Sequence, residues 1–201
     1  MDTRYELRRI ANTIMTYCYH VENNGLAHGK LGMALFLFHY ARLADKLSYR
    51  RFAEELLLGI QKLAHTLPMS LEDGILGLVW TVNQLEKEGL IEPPTEGSVG
   101  NNPQIMQRLN DAVQAVYSQL QQEEEMENNV ITAVRNYWHG ILCGKTVALS
   151  NLQEREIKEF VDKVQTSLEL DRLCLDGGLV GLGMMIMGKN NHHSKPKKRQ
   201  M

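Results

Sequence analysis

Apolar residues recur at spacings of three and four in the first segment of the chain (Leu7, Ile10, Ala11, Ile14, Tyr17, Cys18, Val21), the stripe of a helix that buries one face. Asp2 or Thr3 stands where such a helix needs an N-cap, since either side chain can accept from the unpaired amides of the first turn. The segment after Asn23-Asn24-Gly25 differs in kind: nearly every position through Ala44 is apolar, which predicts a helix enclosed on most sides. A second one-faced stripe (Tyr49, Phe52, Ala53, Leu56, Leu57, Ile60, Leu63, Ala64) follows Ser48 and is stopped by Pro68. Ser70 and Asp73 have capping-box spacing before another apolar stretch that runs to about Leu90. Beyond a loop at Pro93 to Gly100, Asn102 and Pro103 open a third one-faced segment lined by Ile105, Met106, Leu109, Val113, Val116, Tyr117 and Leu120. Residues 127–149 supply a further inner segment. Asn151 to Glu154, again with capping spacing, precede a last stripe of Ile157, Phe160, Val161, Val164 and Leu168, and Asp176 to Gly188 complete the pattern. The alternation predicts an all-α domain over residues 1–188, of about four pairs of one outer and one inner helix, with a basic, flexible tail over 189–201.

The inner segments share a finer mark. Gly29-Lys30-Leu31-Gly32, Gly74-Ile75-Leu76-Gly77 and Gly178-Leu179-Val180-Gly181 are three copies of Gly-x-x-Gly followed by apolar sequence. Two glycines three apart share a helix face and leave a strip on which another backbone can approach closely. Each glycine costs the helix about 1 kcal/mol relative to Ala, so a recurrent pair implies a compensating contact. Three copies in equivalent contexts predict a helical repeat. In residues 127–149 the signature is degraded to Trp138-His139-Gly140-Ile141-Leu142-Cys143-Gly144.

The run Gly25-Leu26-Ala27-His28-Gly29-Lys30-Leu31-Gly32-Met33-Ala34-Leu35-Phe36 resembles the first inner-helix motif of the lanthionine synthetase C-like family, and Leu175-Asp176-Gly177-Gly178-Leu179-Val180-Gly181 looks like a later copy. The resemblance covers residues 1–92 and returns at 170–188. It implies an α/α toroid of inner and outer helices. With about four pairs where the family's complete toroid has six, the expectation is an incomplete ring, and Leu179, Val180, Leu182, Met184, Met185, Ile186 and Met187, with no outer helix after them, should form an exposed apolar patch.

The resemblance also implies a chemistry. Catalytic members hold zinc with two cysteines and a histidine, one Cys directly before its His in a Cys-His-Gly element, and use another His as acid or base; the metal activates a substrate thiol that closes a thioether ring. No Cys-His-Gly occurs here. Trp138-His139-Gly140 is the nearest approach, with Trp at the cysteine position. A substitute metal site could use His139 and Cys143, four apart on one helix face, with Cys174 or His28 brought near by the ring. No cofactor is expected, zinc being the alternative. His28, Asp73 and Asp176 precede inner-helix starts and should gather at the mouth of a cavity.

Composition narrows the rest. The chain is 43% hydrophobic with a net charge of −2, enough for a soluble core and without the composition of a disordered chain. Three cysteines, widely spaced, argue against a disulfide framework and a Cys-x-x-Cys zinc ribbon. Residues 189–201 hold five of the 22 basic groups and none of the 24 acidic ones, so the body is acidic by seven; the tail reads as a solubilising terminus, not a specific nucleic-acid site. The Glu123-Glu124-Glu125 run reads as a solvated turn. No apolar run is long enough to cross a membrane and the start lacks a signal-peptide core, which places the chain in the cytoplasm. The expected function is a non-catalytic scaffold in ribosomal peptide modification that binds a precursor peptide, a modifying enzyme or a second copy of itself. A diverged zinc-dependent thioether cyclase is the first alternative. The second is a carbohydrate-active α/α toroid using paired carboxylates among Glu72, Asp73 and Asp176, against which stand only two Trp.

Overall fold

The computed structural model describes residues 2–92, 102–120, 129–144 and 153–193, without side chains for 119–120 and 189–193. The described residues form eight α-helices: α1 (Thr3–Tyr17), α2 (Lys30–Ala44), α3 (Leu47–Lys62), α4 (Ile75–Lys87), α5 (Pro103–Leu120), α6 (Val130–Leu142), α7 (Glu154–Ser167) and α8 (Leu179–His193). No strand occurs among the described residues. The expected loop at 93–100, the Glu123–Glu125 run and residues 194–201 of the tail lie outside the described residues. Helix α8 runs past residue 189 to His193.

Local chemistry sets the helix starts. Asp2 accepts from the Arg4 and Tyr5 amides at 3.0 and 3.4 Å, Asn102 from Gln104 and Ile105 at 2.9 and 3.4 Å, and Asn129 from Thr132 at 3.0 Å. Two expected caps are placed differently. Helix α7 opens with a capping box of Gln153 and Glu156, two residues on from the Asn151 to Glu154 spacing. At α4 the N-cap is Gly74, and the Asp73 carboxylate, spaced to serve Ser70, turns instead to His28.

Even-numbered helices are the apolar ones and they pack on one another: α2 on α4 and on α8, α6 on α8, and α4 on α6 through an edge-to-face pair of Trp80 and Trp138 with ring centroids 5.5 Å apart. Odd-numbered helices bury only a stripe against this layer. Helix α3 lies on α2, α5 bridges α4 and α6, α7 bridges α6 and α8, and α1 bridges α8 and α2. That last contact overturns the exposed patch: Leu179, Val180, Leu182, Met184, Met185, Ile186 and Met187 are all buried, at most 8% exposed. The first helix of the chain covers α8. Arg9 fastens it, donating to Glu6 at 3.0 Å within α1 and to Asp162 at 2.7 Å and Gln165 on α7, while Gln165 donates to Thr13 at 2.7 Å.

The three glycine copies meet in one geometry. At Gly29 and Gly74, φ and ψ are −138°, −165° and −134°, −163°, extended values open to any residue, so space is what selects glycine. A Cβ at Gly74 would strike the Pro68 carbonyl, and one at Gly178 the carbonyls of Arg172 and Cys174. The second glycine of each pair sits on the carbonyl of the residue six before it (Leu26, Leu71 or Leu175) and against a neighbouring element: Gly32 against Leu175, Gly77 against Leu26, Gly181 against Val134. Backbone bonds repeat the relation. Leu26 and Ala27 amides both donate to the Glu72 carbonyl at 2.7 Å, and Leu175 and Asp176 amides donate to Ala27 at 2.9 and 3.0 Å. The working motif is therefore Leu-x-x-Gly-x-x-Gly.

Candidate functional site

The loops that deliver these backbone bonds also deliver a cluster of charged side chains to the amino ends of the apolar helices. His28 stands just before Gly29 of α2, Asp73 just before Gly74 of α4, and Asp176 two before Gly178 of α8. His28 Nδ1 lies 2.9 Å from Asp73 Oδ2, and Nε2 lies 3.5 Å from Asp176 Oδ2. The Asp73 carboxylate also accepts the His28 amide at 3.3 Å, and Arg135, in the second turn of α6, donates to Asp176 Oδ1 at 2.9 Å. Each apolar helix thus contributes one residue.

An imidazole with a carboxylate at each nitrogen can donate to both only when protonated. Burial opposes that charge, but the hydrogen bond and charge of Asp73, then the charges of Asp176 and Glu72, outweigh it and raise the His28 pKa above its usual value. The three residues expected at a cavity mouth are therefore together, as an acid–imidazolium–acid clasp closed on the α6 side by Arg135. Asp73 and Asp176, the carboxylates of the sugar-hydrolase alternative, face opposite edges of one imidazole ring.

The thiolate and imidazole donors of a zinc site are not gathered in this way. His139 lies in the last turn of α6 and Cys143 caps its end, where the thiol donates to the Val113 carbonyl at 3.8 Å. Cys174 is at the other end of the layer, beside Gly178 and Gly181. His139 stands eight positions after Ile131, which faces Gly177, on the same helix, so the distance along the axis is roughly 12 Å. Cys174 is buried, donates to the Asp176 carbonyl at 3.1 Å and has its thiol pKa pushed up to about 11, by burial first and by the Asp176 charge second. That is the reverse of the depressed pKa a metal-ligating or nucleophilic thiol needs. No group of three His, Cys, Asp or Glu side chains among the described residues is placed to hold a metal ion.

The register of α6 explains why His139 drew attention. The helix begins at Val130 after Asn129, so the degraded Trp138-His139-Gly140 element ends the helix instead of opening it. The His-Gly pair that opens an apolar helix is His28-Gly29, and the residue before it is Ala27. Arg135 was missed because it lies outside any glycine motif. Leu26, Leu71 and Leu175 were legible, standing three before the first glycine in every copy.

At the opposite, carboxyl half of the same helices is a cavity of 280 Å³ whose wall takes Leu35, His39 and Arg42 from α2, Trp80 and Gln84 from α4 with Glu88 at its cap, Tyr137 and Ile141 from α6, and Met184, Met187 and Gly188 from α8. No sequence spacing announced it, since its polar members fall one by one into apolar stretches. No protein-family model, curated protein or solved structure matches the chain.

Proposed function

We propose that the chain is a small α/α toroid of the lanthionine synthetase C-like kind, with α2, α4, α6 and α8 as a closed inner ring, acting as a non-catalytic scaffold that binds a peptide during ribosomal peptide modification. The observation that carries the reading is the state of His28: both ring nitrogens are occupied by carboxylates and the position before it is Ala27. The resemblance implies thiolate–zinc chemistry for the catalytic members. Here the amino end of the inner helices is tied across by ion pairs, and the Cys174 thiol is held protonated, donating to the Asp176 carbonyl. The second support is the cavity at the other end, walled by all four inner helices and so available to a ligand without disturbing the clasp.

The test uses the full chain with dehydrated, cysteine-containing precursor peptides. Fluorescence anisotropy of labelled peptide should show saturable binding, while the count of free peptide thiols, read by maleimide mass tagging, stays constant with added zinc. Zinc-dependent loss of peptide thiols would return the protein to the cyclases, and absence of binding to every precursor peptide would overturn the scaffold.

A further inference from the structure

The cavity between the carboxyl halves of α2, α4, α6 and α8 has an unequal supply of hydrogen-bonding groups. Among the described residues its one carboxylate is engaged: Glu88 Oε1 accepts from Gln84 at 2.7 Å, and Oε2 accepts from Arg42 at 3.0 Å with His39 Nδ1 3.5 Å away. Arg42 also lies 3.4 Å from His39 Nδ1, and a neutral imidazole accepting there carries its proton on Nε2. Burial holds His39 on the neutral side, below its usual pKa. Two further residues of the wall, Trp80 and Tyr137, carry donors, an indole N–H and a hydroxyl, that have no hydrogen-bond partner among the described residues. Both residues are half-buried, and a donor withdrawn from water without a partner costs free energy that a ligand acceptor recovers.

The charge of the wall decides which acceptor fits. Arg42 and Glu88 cancel each other. The carboxyl ends of four helices face this half of the layer, and their partial negative charge disfavours an anion. The remaining surface is aliphatic and thioether, from Leu35, Ile141, Met184 and Met187. A volume of 280 Å³ is at the small end of ligand pockets and suits one large apolar side chain with its flanking peptide groups.

We propose that this cavity binds an uncharged apolar residue of an extended peptide, the side chain against the methionines and the backbone carbonyls accepting from Trp80 and Tyr137. The proposal rests on the scaffold reading for its choice of a peptide. The probe is N-acetyl-leucine amide, titrated into ¹⁵N-labelled full-length protein while the two tryptophan indole signals are followed, with Trp80→Phe assigning them. A saturable shift of the Trp80 signal is expected, with a Kd on the order of 1 mM for so small a ligand. Tyr137→Phe should weaken it about 2- to 10-fold by removing one hydrogen bond, and N-acetyl-leucine, which carries a carboxylate, should bind more weakly than the amide. Met187→Trp should abolish the shift by filling the space. Should Met187→Trp fail to fold, Tyr137→Phe and the carboxylate comparison still decide. No saturable shift, equal binding by Tyr137→Phe, or tighter binding of the carboxylate would each overturn the site. Precursor binding without probe binding removes the cavity and leaves the scaffold; probe binding without precursor binding does the reverse.

Discussion

The same substitution at two glycines should change stability in opposite directions. Gly77 lies in the first turn of α4, and a Cβ there would sit well inside the contact distance of the Leu71 carbonyl oxygen and 3.0 Å from Leu26 Cβ. The first neighbour is backbone, held where the Leu26 and Ala27 amides cross to Glu72, and it cannot rotate away. Overpacking of this kind costs about 1 to 3 kcal/mol. Replacing a helical glycine by alanine returns about 1 kcal/mol or less, and least in a first turn, so Gly77→Ala should be destabilised by about 1 to 2 kcal/mol net. Gly59 lies inside α3 with nothing within 4 Å of its Cβ position. There only the propensity gain operates, and Gly59→Ala should be stabilised by about 0.5 to 1 kcal/mol. For a chain of this size each kcal/mol moves Tm by about 2 to 4 °C. Thermal unfolding followed by circular dichroism should then place Gly77→Ala about 2 to 8 °C below the parent and Gly59→Ala about 1 to 4 °C above it. If both variants shift upward together, helix propensity alone governs these glycines and the close-approach account of the motif is wrong.

Other outcomes follow from the charged groups. The raised pKa of His28 means that its contribution to stability is fully present below the unfolded value of about 6.5 and is lost as pH rises through the folded value. The gap in urea midpoint between parent and His28→Gln should therefore be wider at low pH than at high pH, and an NMR titration of His28 below about 6.5 would contradict the clasp. Arg9→Met leaves Glu6, 3% exposed, without its partner; a loss of about 1.5 to 3 kcal/mol is expected by chemical denaturation, and Glu6→Gln added to it should restore part of that loss. Iodoacetamide at pH 7.5 should modify half-buried Cys143 before buried Cys18 and Cys174, and mass spectrometry showing Cys174 first would refute its protonated, backbone-bonded state.

Helix boundaries were legible where periodicity and a cap agree. Asp2, Asn102 and the Gly29-to-Ala44 segment were read from composition that the structure keeps. The α6 register was not, because the eye is drawn to His139-Gly140 and Gly144, whereas Asn129 sets the start. For the site, His28, Asp73 and Asp176 could be named because each is fixed relative to a glycine. Arg135, His39 and Glu88 could not, since their partners depend on which helices become neighbours. The exposed patch failed for a related reason: periodicity shows that α8 needs a cover but carries no information that the cover lies at the far end of the chain.

The bond from Arg9 to Asp162 spans 153 residues. At a ribosomal rate of about 5 to 20 residues per second, α1 emerges roughly 8 to 30 s before the helix that clamps it. For that interval α1, with its buried stripe of Leu7, Ile10 and Ile14, has α2 and the Tyr49 hydroxyl of α3 as neighbours already made, and the face later shared with α7 and α8 is open to whatever is nearby. Translation therefore imposes an order on assembly, in which the first helix formed is among the last to be secured, and a pause in synthesis before α7 would prolong the stage at which this chain is most prone to wrong association.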